Sequence, residues 1–210
     1  MAIVINANDG TISGISVGGL PDSIVDAGTL ATNSVDSAEL IDGAVDDSHM
    51  AAMAASKLSG TVATARMPTG SVLQVVSVAN GTSTTISSTG TWVAVGLEAS
   101  ITPSSTSSKI LVTVMGSQYA DVNDTTASAT IFRGSTNLGT GDYGFAPHYM
   151  NWGNGGGDDL QVSCTMVYLD SPSTSSAVTY SVKATTDKNT YRWNGIRIAK
   201  ATITLMEIAG

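Results

Sequence analysis

Residues able to do chemistry are few in this chain, and they form no catalytic pattern. There are two histidines, His49 and His148, and one cysteine, Cys164. No Ser-His-Asp arrangement can be read around His148. A P-loop and a His-Glu-x-x-His pair are absent from the sequence. Cys164 lies in the alternating stretch 160–169, which marks it as a small buried residue rather than a nucleophile. Asp142, Asp158 and Asp159 are the carboxylates closest to an aromatic cluster, and they lack the readable spacing of a glycosidase acid pair. The chain is expected to be non-enzymatic and to use no cofactor.

Binding chemistry is better represented. Residues 142–159 gather Tyr143, Phe145, His148, Tyr149 and Trp152, then Asn154-Gly-Gly-Gly-Asp-Asp159. Aromatics beside flexible glycines suit contact with a sugar or a protein surface. Those five side chains, with Asp158 and Asp159, are the candidate receptor-binding residues. The competing reading is a loop that plugs one end of the domain, since aromatics dominate cores and interfaces alike. Asp158 and Asp159 could join other loop oxygens around calcium, but there is no EF-hand pattern and a solvated turn explains them. No metal site is expected.

Composition sets the frame for these residues. Charged residues are 12% of the 210, against about a quarter in an average soluble protein. Nine basic residues face 17 acidic ones, a net charge of −8, which argues against a nucleic-acid partner. One cysteine rules out a disulfide scaffold. No apolar run approaches the ~18 residues of a membrane helix, so membrane insertion is not expected. The opening Met1-Ala-Ile-Val-Ile has no basic segment leading an apolar one, so no secretory signal is expected.

The two ends of the chain differ. All aromatics lie at or after Trp92. Residues 1–70 hold Asp9, Asp22, Asp26, Asp36, Glu39, Asp42, Asp46 and Asp47 against Lys57 and Arg66. Without aromatics, such a segment buries too little to offset its ordering entropy. It must be disordered or folded against something else. A repeat favours the second option. Val25-Asp26, Val35-Asp36 and Val45-Asp46 are followed in register by Leu30, Leu40 and Met50, at a spacing of ten. Each Asp reads as a helix N-cap, flanked by the two apolar positions of a hydrophobic staple. One or two helical turns per unit are too short to stand alone. The stripe Val25, Leu30, Val35, Leu40, Val45 and Met50 therefore needs sister chains, and a trimeric stalk is expected.

After Gly70 the apolar pattern has period two. Strands are expected at 72–79, 84–88, 91–97, 109–116, 127–133, 160–169 and 177–185, with one long or two broken strands at 196–208. The 84–88 and 91–97 segments read as a pair around Thr89-Gly90. The fold class is mainly β. A C-terminal antiparallel sandwich, jelly-roll-like, follows a fibrous N-terminal repeat stalk. The expected division is 1–21, 22–70 and 71–210. So few charges leave sheet faces and edges to be covered by sister subunits.

Gly14-Ile-Ser-Val-Gly-Gly-Leu-Pro-Asp22, the Ser-Val-Asp-Ser-Ala-Glu-Leu repeats and Ala55-Ser-Lys-Leu-Ser-Gly60 resemble the N-terminal regions of tailed-bacteriophage fibre proteins. Ala201-Thr-Ile-Thr-Leu-Met-Glu-Ile208 resembles the last strand of the sandwich heads on such fibres, which are similar to trimeric C1q-like and tumour-necrosis-factor-like jelly rolls. The resemblance implies a virion protein assembled in the host cytoplasm. Residues 1–21 would attach to other virion proteins, the stalk would hold a homotrimer, and the head would meet a host-surface glycan or protein. The alternatives are a head fibre or a capsid decoration protein that stabilises the shell, and, more distantly, a polysaccharide depolymerase.

Overall fold

Successive side chains of a strand point to opposite faces, so period-two alternation decides what each strand buries. The computed structural model describes residues 4–6, 8, 11–13, 62–120, 124–151, 160–188, 190–195 and 200–210. The chain divides into two units, Met1–Gly60 and Thr61–Gly210. In the first, β1 (Val4–Asn6) and β2 (Thr11–Ser13) form an antiparallel hairpin. The repeat residues Val25, Leu30, Val35, Leu40, Val45 and Met50 lie outside the described residues.

The second unit opens with a 3-10 turn, Thr64–Arg66, and is otherwise built of strands. They are β3 (Val72–Asn80), β4 (Thr84–Ile86), β5 (Val93–Ile101), β6 (Lys109–Ala120), β7 (Thr125–Arg133) and β8 (Thr136–Asn137). Then follow β9 (Ala146–Met150), β10 (Leu160–Asp170), β11 (Val178–Thr186), β12 (Tyr191–Trp193) and β13 (Ala201–Ile208). One sheet runs β3-β13-β6-β10, with β12 and β4 continuing beside the far end of β6. The other runs β5-β11-β7, with β8 and β9 along the outer side of β7. All named pairs are antiparallel. The two sheets form a sandwich, and the first long strand pairs with the last as in a jelly roll.

The alternation places the core. Val178, Tyr180, Val182 and Ala184 of β11 are buried on one face, as are Cys164 and Met166 of β10. Ile110, Val112 and Val114 of β6 meet Ile203 and Leu205 of β13 in the same cluster. No helix among the described residues is long and apolar enough to cross a membrane.

Three local expectations fail, each for a physical reason. The hairpin around Thr89-Gly90 does not form. Instead β4 pairs with β12 and β5 with β11, in different sheets. The connection is held by β11, through Gly90 N–H to Thr186 O and Thr186 N–H to Ser88 O, both 3.4 Å. Next, β6 does not end at Gly116 but continues to Ala120. The glycine makes room for a ring: a Cβ there would lie 2.5 Å from Trp193 Cζ2. Finally, residues 146–150, expected inside a loop, form β9. Pro147 is tolerated because β9 pairs only with β7 and its other side is an edge.

Two acids are built into the sandwich. Asp170 accepts from Arg133 Nη1 at 3.0 and 2.9 Å and from Tyr180 OH at 2.7 Å. Burial, then the bond to Asp170, pushes the Tyr180 phenol far up, so it stays protonated and donating. Glu207 is fully buried. Its Oε1 accepts from Ser104 N–H, Ser104 Oγ and Ser108 Oγ at 2.7, 2.6 and 2.7 Å, and its Oε2 from Gln74 Nε2 at 2.6 Å. Burial raises this carboxyl, but the bonds from Ser104, Gln74 and Ser108 outweigh it and hold it below its ordinary value. A carboxyl lowered by folding contributes stability above the unfolded value of about 4.3. That contribution is lost as pH falls through the folded value. Glu207→Gln is expected to be less stable by about 2 kcal/mol at pH 7. Urea melts from pH 7 to pH 3 should also show a shallower acid loss for the variant than for the native chain.

Candidate functional site

The segment after β7 folds back over the outer face of that strand. Thr130 Oγ1 donates to Asn137 Oδ1 at 2.7 Å, Leu138 N–H to Ile131 O at 3.0 Å, and Phe145 N–H to Ala129 O at 3.0 Å. Between these anchors the turn 140–144 closes through Gly144 N–H to Thr140 O at 3.1 Å. Gly144 has φ of +63°, and a Cβ would meet Thr130 Cβ at 2.5 Å and Ala129 O at 2.8 Å. Only glycine fits this close approach. The turn is therefore clamped, and it carries Asp142 and Tyr143 at its tip.

Tyr143 is 57% exposed. With Asp142 it borders a cavity of about 260 Å³ that Ser128, Thr185, Thr186 and Asp187 also line. Strand register brings these together, because Ser128 faces Thr185 across β7 and β11. Asp187 is fixed in place: its Oδ1 accepts from Thr126 N–H and its Oδ2 from Thr126 Oγ1, both at 2.8 Å. Tyr149 lies opposite Thr126 on β9 and is 60% exposed. Its hydroxyl donates to Asp124 Oδ1 at 2.7 Å and accepts from Asn151 Nδ2 at 2.9 Å. Lys188 Nζ donates to Asp124 Oδ2 at 2.8 Å. The bonds from Lys188 and Tyr149 hold the Asp124 carboxyl below the usual range. The outer face of the five-stranded sheet thus carries two exposed phenols, fixed carboxylates and hydroxyls.

The seven sequence candidates do not form one cluster. Tyr143 and Tyr149 face outward. Phe145 is half-buried against Tyr168, with ring centroids 5.3 Å apart. His148 points toward the core, where Nδ1–H donates to Gln118 Oε1 at 2.6 Å. Trp152, Asp158 and Asp159 lie outside the described residues. Ser128, Thr185, Thr186 and Asp187 were not legible as partners of Tyr143, since only strand pairing unites them. Burial pushes the Cys164 thiol up to about 12, which removes its nucleophilic form at neutral pH. Among the described residues, no group of three His, Cys, Asp or Glu is placed to hold a metal. Gly14-Ile-Ser-Val-Gly18 has Gly-x-Ser-x-Gly spacing, and it lies outside the described residues.

The opposite face of the sandwich differs in kind. On the outer side of the six-stranded sheet, Leu169, Leu111, Met206 and Val75 align as one row across β10, β6, β13 and β3. Adjacent rows are Val167-Thr113-Thr204-Ser77 and Thr165-Met115-Thr202-Ala79. Ser77 Oγ and Thr204 Oγ1 share a hydrogen bond of 3.0 Å on this face. Ile208 and Val72 extend it at one corner beside Lys109, the one charge in these rows. Val75, Met115 and Val167 are 56%, 57% and 57% exposed. The edge strand β10 carries no charge and no proline from Leu160 to Leu169, although exposed edges are ordinarily guarded by such residues.

No protein-family model matches this sequence, and no curated protein matches it. Solved structures of infectious bursal disease virus do. A VP2 subviral particle is 13% identical over 65% of this chain, with a TM-score of 0.32. The Gx strain structure is 12% identical over 73% of this chain, with a TM-score of 0.36. The chain spans 37% and 42% of the length of those two proteins. Similarity this low carries neither fold nor function, which rest on this chain's own residues.

Proposed function

We propose that the protein is a non-enzymatic structural component of a virus particle, a homotrimeric fibre of the bacteriophage type. Its N-terminal segment docks to other virion proteins, residues 22–70 form the stalk, and the sandwich head contacts a host-surface glycan. The observation that carries this reading is the nearly uncharged outer face of the six-stranded sheet, where Val75, Met115 and Val167 stand exposed. Four strands at about 4.8 Å spacing and seven residues at about 3.3 Å give a face of roughly 20 by 20 Å. Seven apolar residues lie among five Ser and Thr hydroxyls in its three rows, with Lys109 the one charge at its corner. A charged partner would leave its charges desolvated there. Every copy presents this uncharged face, and copies converging on a common threefold axis bury it between them, so copies of this chain are its occupant. The face is about half of the ~800 Å² per partner of a stable interface. The stalk stripe supplies the rest, and the fibre resemblance makes the number of copies three.

Heads on one stalk share a high effective concentration, so weak contacts add. Copy number on purified particles tests the reading. A few trimers at a tail or vertices, with adsorption to host cells blocked by the purified chain, is the expected result. Many copies spread over the shell, with capsids that fall apart without the protein and unimpaired adsorption, would instead make it a decoration protein.

A further inference from the structure

The cavity beside Tyr143 joins three features that have separate structural explanations but one shared chemical use. An aromatic ring stands exposed on a turn that Gly144 clamps to the sheet. Two carboxylates, Asp142 and Asp187, border the same hollow as the hydroxyl residues Ser128, Thr185 and Thr186. At about 260 Å³ the space is below the roughly 300 Å³ at which drug-sized pockets begin. It admits one ring rather than an extended ligand.

We propose that this cavity is a carbohydrate subsite for a single uncharged pyranose. The apolar C–H face of the sugar packs on the Tyr143 ring. Its hydroxyls donate to the Asp142 and Asp187 carboxylates and to Thr185 Oγ1, whose own proton goes to Ser88 O. Both acids repel anionic sugars, as does the net charge of −8. Asp187 is held by both oxygens on Thr126, so one half of the site is already ordered before a ligand arrives. Tyr149, one row away on the same outer face, offers a second ring to a longer glycan. The proposal deepens the attachment reading above and rests on it.

The test is saturation-transfer NMR on the full-length protein, using methyl glucoside, methyl galactoside and methyl N-acetylglucosaminide as neutral probes and a methyl sialoside as the anionic one. At least one neutral probe should bind with a Kd of about 1 mM, and the sialoside should not. Tyr143→Ala and Asp142→Asn should each weaken binding about tenfold or more, while Tyr143→Phe stays within about threefold. Both positions are on an exposed turn, and unchanged melting temperatures confirm that the variants fold. No neutral binding at about 50 mM, well above the weakest useful affinity, overturns the proposal. So does preferential sialoside binding, or full binding by Tyr143→Ala. Adsorption of the same proteins to host cells separates the two levels. Full adsorption by Tyr143→Ala sinks the cavity and leaves attachment standing, whereas a native chain that never adsorbs sinks attachment itself.

Discussion

Val75→Glu combined with Val167→Glu is expected to turn the assembled protein into monomers while leaving the head folded. Both side chains are more than half exposed on the outer face of the six-stranded sheet, so neither substitution disturbs the interior. In an assembly that buries this face, each carboxylate loses water, and Lys109 at one corner is the one cation on the face. The effective penalty is several kcal/mol per unpaired charge. Two of them in every copy take back much of what a face of this size contributes, and association should weaken by at least about a thousandfold, or ~4 kcal/mol. Sedimentation at micromolar concentration reads the mass, and near-UV circular dichroism reads the fold. Thr179→Glu alone, on the other sheet, serves as the control and should leave the mass unchanged. Ser100 and Thr179 are exposed and already hydrogen-bonded to each other at 2.7 Å on that polar face. If the Val75 and Val167 variant keeps the native mass, the apolar face is not the contact between copies.

Gly116→Ala is expected to be strongly destabilising. A Cβ at that position would lie 2.5 Å from Trp193 Cζ2, 3.0 Å from Cη2 and 3.2 Å from Cε2. Trp193 is fully buried and has no slack to retreat. Its strand β12 is also the link between β4 and β6. Moving the ring therefore loosens one whole end of the sheet. Overpacking of this kind costs about 3 kcal/mol. For a unit of this size that is a fall of about 10 °C in Tm. Trp193→Leu removes the ring and should cost a similar amount through a cavity. The double variant should then be more stable than the sum of the two losses by more than about 1 kcal/mol, because the added methyl enters the vacated space. Strict additivity in urea melts would mean that the two residues do not share that space.

Much of the head could be read from alternation alone, because alternation is burial. In 160–169 and 177–185 the alternating apolar residues Cys164 and Met166, and Val178, Tyr180, Val182 and Ala184, are the ones the sandwich buries. Pairing was not legible, since period two specifies a face and not a neighbour. Thr84–Ile86 and Val93–Ile101 look like a hairpin by spacing, yet the bonds Gly90 N–H to Thr186 O and Thr186 N–H to Ser88 O tie their connection to β11, and they enter different sheets. Gly116 suggested a strand end because its partner Trp193 is distant in sequence. Pro147 hid β9 because proline argues against a strand unless the strand is an edge. The candidate site was half visible. Tyr143 and Tyr149 stand exposed, as aromatics near glycines suggested. Phe145 and His148, of the same types and in the same stretch, turn to Tyr168 and Gln118 instead. Asp187 gave no signal at all, since its place beside Tyr143 follows from register across β7 and β11.

The central claim is that the functional unit contains several chains joined through an uncharged sheet face and a repeat stripe. The solution mass of the full-length native protein tests it most directly. Sedimentation at micromolar concentration should give three times the 21.3 kDa of one chain. A single species at 21.3 kDa, with the face of Val75, Met115 and Val167 open to solvent, would contradict it.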